Sequence, residues 1–382
     1  MARWTWLILT AALALPCGAG SDSGWRQAAP GYRWEWPRDH FAHPEFKTEW
    51  WYFTGHLEPE DVAGVPGDAL GFQLTFFRLG MVPPGTGTPE TGLAARGGVM
   101  AHAAISDAAA GNHVFSEVLW RATPLLGGFG APGDTVIAWC RGPGGTADLW
   151  SLGFDGQAFA LRASDDRQGL AFALDCRPAK PVVLHGDLGF SAKNAAGTAG
   201  SLYAAFTRME VSGSVMRNGA MVRVRGECWM DQEIFTSTLA PDQKGWDWVS
   251  LQLADGRELM VYRLFGPEGG DGFASGTLVA PDGSTTPLAD GDFRLETQDR
   301  WRSPVTGADY PVKWILEVPS AGLDLEFQAV IPDQENVSRL SGVHYWEGAV
   351  EVRSRGPAGA GRTIGRGFVE MAGYGEGNRP PV

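Results

Sequence analysis

The sequence predicts an all-β protein built as two tandem β-barrel or sandwich domains. Three observations carry this. Short runs rich in aromatic and β-branched residues recur at a spacing of roughly ten residues, with turn residues between them, as in antiparallel barrels and sandwiches. Two of the intervals are Asn218-Gly219 and Asp255-Gly256, dipeptides that favour the left-handed backbone of a two-residue hairpin. The chain has 382 residues, more than one usual domain needs, and no stretch keeps a helical period beyond a few turns.

From the N-terminus, residues 1–20 read as a secretory signal peptide. Arg3 forms the basic end, 4–15 the apolar segment, and Cys17-Gly18-Ala19-Gly20 the small residues for cleavage. The apolar run is too short to span a bilayer as a helix. Cys17 would permit a lipid anchor, but Pro16 stands where a small residue is wanted, so cleavage after Ala19 or Gly20 is expected. The mature chain is therefore placed in the periplasm or outside the cell. Strands are predicted at 48–57, 69–79, 99–107, 113–120, 135–140, 148–154, 157–163 and 169–175. The hairpin pairs 209–216 with 221–230 and 248–253 with 258–265 come next, then 293–297, 313–319, 324–331, 345–352 and 365–371. Gly- and Pro-rich 83–96 and 127–134 read as loops. The natural division puts an N-terminal domain at 30–230 and a C-terminal domain at 231–376, with a frayed tail after it.

A net charge of −13, with Lys and Arg scattered among acids, argues against nucleic acid and against anionic membrane surfaces as partners. Sixteen Trp and nineteen Phe against seven Tyr weight the aromatics toward rings that bury large apolar areas. Because an indole N–H needs a partner, so many tryptophans suit an apolar cavity, although a thick β core would use them too. Cys140, Cys176 and Cys228 allow one disulfide or three buried thiols, and spacing does not pair them. G-x-S-x-G, P-loop, H-E-x-x-H and C-x-x-C signatures are all missing, which removes most support from hydrolase, NTPase, zincin and thioredoxin readings. No cofactor is called for.

Two polar knots stand out. In the first, Arg38, Asp39, His40 and His43 lie on a loop bounded by Pro37 and Pro44, ahead of Glu49 and Trp51 in an aromatic strand. A carboxylate beside indoles must pair or neutralise, so Glu49 is expected to pair with Arg38 or Lys47, or to bond the loop backbone. The group is a structural clasp or part of a ligand site. A metal pair of His40 and His43 lacks a third spaced ligand, so no metal is assigned. In the second knot, Trp229, Asp231 and Glu233 share one face of a strand while Met230 and Gln232 take the other. Carboxylates beside an indole can hold one acid neutral, as an acid catalyst requires. The alternative is that Asp231 and Glu233 face water at a domain junction, or pair with Arg223 or Arg225. His102 and the adjacent Trp346 and Glu347 read as core or clasp residues and as weaker site candidates.

The stretch from Trp36 to Gly55, W-P-R-D-H-x-x-H-P-x-F-x-T-E-W-W-Y-x-T-G, resembles the N-terminal signature of the carotenoid 1,2-hydratase (hydroxyneurosporene synthase) and AttH family. Further similar motifs are Trp229-Met230-Asp231-Gln232-Glu233, Gly245-Trp246-Asp247-Trp248, Tyr345-Trp346-Glu347-Gly348-Ala349-Val350 and Gly367-Phe368-Val369-Glu370-Met371-Ala372-Gly373-Tyr374. The resemblance implies two lipocalin-like β-domains in tandem. It implies either a lyase that adds water to carotenoid double bonds or an AttH protein, often linked to an envelope ABC transporter. In the hydratase pattern the second knot reads D-H-N-W, followed one hairpin later by Y-x-D, whose Asp is the proposed proton donor. Here Asp231-Gln232-Glu233-Ile234 keeps only the first acid, and Tyr262-Arg263-Leu264 keeps the tyrosine but has Leu264 at the donor position.

The expected function is therefore binding of a hydrophobic small molecule or lipid in, or between, the barrels, beside an envelope transporter. The rival is a hydro-lyase acting on an isoprenoid-like alkene with Asp231 or Glu233 as general acid, and Trp229 and Tyr262 nearby. A third reading is an envelope adaptor with filled barrels.

Overall fold

The computed structural model describes residues 24–60, 69–87, 95–267, 272–356 and 360–375. The proposed signal peptide and Cys17 lie outside the described residues. Among these residues the helical segments are short 3-10 turns, such as Arg38–His40, and everything else regular is strand.

The first sheet holds β1 (Thr48–Pro59), β2 (Leu70–Gly80), β3 (Gly97–Asp107), β4 (Asn112–Arg121), β5 (Gly127–Phe129), β6 (Val136–Arg141) and β7 (Leu149–Phe154). It continues with β8 (Phe159–Asp165), β9 (Leu170–Pro178), β10 (Val183–Leu184), β11 (Phe190–Ala192), β12 (Gly200–Arg217) and β13 (Ala220–Phe235). Its order is β4-β3-β2-β1-β13-β12-β9-β8-β7-β6-β5, with β10 and β11 added along β12. The second sheet holds β14 (Gly245–Leu253), β15 (Glu258–Phe265), β16 (Phe273–Val279), β17 (Thr285–Ala289) and β18 (Arg294–Arg302). To these it adds β19 (Asp309–Val318), β20 (Leu323–Ala329), β21 (Glu335–Val337), β22 (His344–Ser354) and β23 (Thr363–Ala372). Its order is β17-β16-β15-β14-β23-β22-β20-β19-β18, with β21 on β22. Each antiparallel sheet curls around its own core, giving two tandem lipocalin-like barrels. All the paired strands are antiparallel, and the two hairpin dipeptides sit at the β12–β13 and β14–β15 turns.

The strand period decides what each barrel encloses. On β1, Trp51, Phe53 and Leu57 turn into the first core with Phe72, Leu74 and Phe76 of β2 and Met230 of β13. Trp314, Phe327, Trp346, Val350 and Met371 fill the second core. Among the described residues, both lumens are packed with buried apolar side chains. Cys140, Cys176 and Cys228 are buried free thiols of the first core. Cys176 and Cys228 flank β12 from opposite sides, opposite Val211 and Met209. Their thiols meet in the core, close enough to interact, and both are free.

β13 stays in the first sheet through Phe235, so the chain crosses between barrels in residues 236–244, after the expected 230/231 division. The hairpin at Asn218-Gly219 made the end of the first sheet look nearer than it is, because β13 is much longer than the predicted run. β12 likewise starts at Gly200, where Gly200, Ser201, Ala204 and Ala205 carry little strand propensity and sheet pairing holds them extended.

The barrels meet along β1 and β2 of the first and β23 and β22 of the second. At this seam a Cβ on Gly71 would come within 2.8 Å of the Ala349 Cβ, so close approach of the sheets requires glycine there. Buried Glu258 takes Lys180 Nζ and Arg208 Nε from the first domain, each at 2.7 Å. His102 Nδ1 lies 2.7 Å from the Tyr345 hydroxyl, which also accepts from Gln73.

Candidate functional site

Side chains that point out of both barrels meet in the seam between them. Tyr52 on β1 stands opposite Asp231 on β13, and Trp50 opposite Glu233. Because successive residues alternate, Trp50, Tyr52, Trp229, Asp231 and Glu233 face away from the first core and toward the second domain. On the other side β14 presents Trp246 and Trp248, β15 presents Tyr262 and Leu264, β22 presents Glu347 and β23 presents Glu370. The crevice holds about 60 Å³ of free space, enough for a small cluster of waters or the slender end of a ligand. Trp50, Trp246 and Glu370 are only half-buried and form its mouth.

The aromatic groups hold the acids in place. Asp231 accepts from Trp229 Nε1 at 2.6 Å and from the Tyr203 hydroxyl at 2.7 Å, and Tyr203 in turn accepts from Trp248 Nε1 at 2.9 Å. Burial nonetheless pushes the Asp231 carboxyl well above the usual range, with Glu233 adding to the rise. Glu233 accepts from Ser201 and pairs with Lys193 at 2.7 Å. The Lys193 ammonium sits over the Tyr262 ring at 4.3 Å and near Tyr203 at 5.3 Å. Burial disfavours that charge, but Glu233 holds it in place. Tyr52 donates to Glu347 Oε1 at 2.6 Å, while Glu347 Oε2 is buried without a hydrogen-bond partner. Burial and then the nearby Glu370 raise the Glu347 carboxyl well above its ordinary value. Glu370 accepts from Trp246 Nε1 at 3.2 Å, and burial pushes its carboxyl up to about 8.

The arrangement is thus a set of carboxyl groups whose pKa values burial raises, with one ion pair, against indole and phenol walls. It can donate a proton or a hydrogen bond to a bound molecule and can stabilise positive charge through the rings. A larger, open groove of about 960 Å³ is lined by mixed charges such as Asp175, Arg177, Glu210 and Arg225 together with Phe154 and Phe159, without the indoles and phenols of the crevice.

The structure brings Asp231, Glu233, Trp229, Tyr262 and Glu347 into this one place. Their junction is buried rather than solvated, and Glu233 meets Lys193, while Arg223 turns to Glu60. Trp346 lies in the second core with Nε1 bonded to the Pro332 carbonyl, because it points the opposite way from its neighbour Glu347. His102 belongs to the inter-barrel contact with Tyr345, away from the crevice. Arg38, Asp39, His40, His43, Glu49 and Trp51 form a separate clasp at the first barrel. His43 bridges it, with Nδ1 2.8 Å from Glu49 and Nε2 3.3 Å from Asp39. The His40 ring packs on Trp36, Phe154, Phe159 and Phe206, and its carbonyl accepts from Trp51 Nε1. Glu49 bonds the loop backbone at His43 N, as expected, but its guanidinium partner is Arg78 rather than Arg38. Sheet register explains this: Arg78 stands directly opposite Glu49 on β2, whereas Arg38 is drawn to Asp39 and Glu35.

Lys193, Tyr203, Tyr52, Trp246, Trp248 and Glu370 were not among the residues singled out from sequence. The motifs containing Trp246, Trp248 and Glu370 were visible, but nothing local tied them to Asp231.

Fold and site together define a tandem lipocalin-like protein with an acidic, aromatic crevice between its barrels. The chain belongs to the AttH-like family, whose model matches residues 27–374. A Nitrosomonas europaea protein assigned to AttH has a similar structure, with TM-score 0.76, 29% sequence identity, and coverage of 91% of this chain and 99% of that one. Kievitone hydratase of Nectria haematococca shares the fold at TM-score 0.61 and 12% identity, covering 88% of this chain and 91% of that one. No curated protein sequence matches the chain.

Proposed function

We infer that the protein binds an apolar small molecule between its barrels, with the ligand's end seated in the crevice. The observation that carries this is the contrast between filled lumens and an aromatic-walled space at the seam. Small barrels are commonly filled by their own side chains, which directs a ligand to the seam. The N-terminal segment supports export to the periplasm or beyond, and the family resemblance supports work beside an envelope ABC transporter. Quenching of the crevice tryptophans by fatty acids, isoprenoids or a carotenoid is the expected result. The absence of quenching by every apolar ligand would favour an adaptor without a ligand.

The acids favour a second reading. A pure apolar binder gains nothing from placing Asp231, Glu347 and Glu370, whose carboxyl pKa values are raised by burial, at the seam, whereas a hydro-lyase needs such an acid against cation-stabilising rings. In that reading the protein adds water to the double bond of an isoprenoid-like alkene. Incubation with an acyclic carotenoid and a chromatographic search for hydroxylated product separates the two.

A further inference from the structure

The carboxyl groups around the crevice differ in what already engages them. Glu233 is held by Lys193 and Ser201. Both oxygens of Asp231 are taken, one by Trp229 and one by Tyr203. Glu347 is tied to Tyr52 and does not line the free space. Asp231, Glu233 and Glu370 all line the crevice, but of these three Glu370 is the half-buried one and makes a single side-chain hydrogen bond, the 3.2 Å contact from Trp246. On β23 it stands opposite Trp248 of β14, whose other neighbour is Tyr262 of β15. Its carboxyl is therefore bordered by indoles and reachable from the mouth.

We propose that Glu370, rather than Asp231 or Glu233, is the proton donor of the crevice and protonates an alkene carbon of a bound isoprenoid-like substrate. This rests on the hydro-lyase reading above. The alkene π electrons form a new C–H bond with the Glu370 proton, and the electrons of the broken O–H bond stay on the carboxylate. The cation left on the neighbouring carbon lies against the tryptophan rings. Water then gives a lone pair to that carbon, and the proton it loses returns to the carboxylate. The sum is alkene plus water giving alcohol, with Glu370 restored.

The surroundings suit an acid that must start neutral. Burial dominates, and the negative charge of Glu233 works in the same direction against the single hydrogen bond from Trp246. Asp231 and Glu233 approach from β13, Glu347 from β22 and Tyr52 from β1. Lys193, just past β11, is the cation lining the crevice, and Glu233 neutralises it. Leu264, where the hydratase pattern carries its acid, lines the same crevice next to Trp246 on β14, so an acid at either position addresses the same space.

The test is turnover of an acyclic carotenoid in detergent micelles by the mature protein, followed from pH 6 to 10. Glu370→Gln is expected to lower kcat by about 10²–10⁴-fold and to abolish the alkaline fall in rate centred near pH 8. Glu370→Asp should recover part of the rate. The double variant Glu370→Gln/Leu264→Asp should also recover part, because it returns a carboxyl to the same wall. Matching near-ultraviolet spectra separate lost chemistry from lost folding. If the wild-type protein forms product and Glu370→Gln keeps both rate and pH profile, the assignment is overturned. If the alkaline limb vanishes in Asp231→Asn instead, Asp231 is the donor. If the wild-type protein forms no product, the hydro-lyase reading falls and this assignment falls with it.

Discussion

Glu49 is fully buried, and donors from several directions converge on it: His43 through N and Nδ1, Arg78 Nε and Gln232 Nε2. Burial alone would neutralise such a group, but His43 and Arg78 hold its carboxyl below the ordinary range. Replacing it by Gln leaves the Arg78 guanidinium without its charge partner in a site where it is only 7% exposed. Glu49→Gln should therefore cost about 3–5 kcal/mol of stability, read by denaturant unfolding. A loss below about 1 kcal/mol would show that the clasp does not depend on the charge. The composition of this clasp was legible in the sequence because its loop residues and Glu49 lie close along the chain. Arg78 was not, since only the β1–β2 register brings it opposite.

At the scale of the strand, β13 separates two environments by alternation. Met230 packs in the first core and Gln232 bonds Glu49, while Trp229, Asp231 and Glu233 serve the crevice. Period two made that shared face readable from sequence. What the face meets was not readable, because Tyr203 comes from β12, Lys193 from beyond β11, and Glu370 from β23, in the other barrel. The seam that joins them depends on Gly71, whose missing side chain lets β2 approach Ala349 and Phe368. Gly71→Val should wedge the barrels apart, cost about 1–3 kcal/mol, and raise solvent quenching of the crevice tryptophans. Unchanged stability and quenching together would mean that the seam has slack which the close contact does not reveal.

For the whole molecule, the buried groups fix a direction of pH dependence. The carboxyls of Asp231, Glu347 and Glu370 are raised above their ordinary values of 3.8, 4.5 and 4.5. Each contributes stability that is complete below its unfolded value and is lost as pH rises, for Glu370 through about 8. His43 acts in the same sense, since burial is outweighed by Glu49 and Asp39 and its pKa rises from 6.5 to about 9. His40, His56, His102 and His185 act oppositely: burial lowers them to between about 3 and 4, so their share is lost as pH falls below 6.5. Below pH 6.5 the two sets oppose each other; between 6.5 and 9 only the falling set titrates. Unfolding free energy should thus decline from pH 6.5 to 9, by up to about 1.4 kcal/mol per pH unit for each group titrating. Glu370→Gln should remove the part of the decline that ends near pH 8. A flat wild-type profile over that range would show that neither His43 nor the crevice acids carry raised pKa values in the folded protein.

Strand periodicity, the hairpin dipeptides and chain length were enough to determine two antiparallel β domains, because those signals are local and repeat along the chain. The resemblance of Trp36 to Gly55 and the later motifs was enough to place the family, since it is carried by residue order. The tertiary structure alone decided that both lumens are filled, that Trp346 and Glu347 part company, and that the acids of β13, β22 and β23 face one another. Those facts depend on how two sheets curl and which faces they turn to each other. A contact such as Tyr52 to Glu347 joins residues far apart in the chain, and no local pattern encodes which strands become neighbours across a seam between domains.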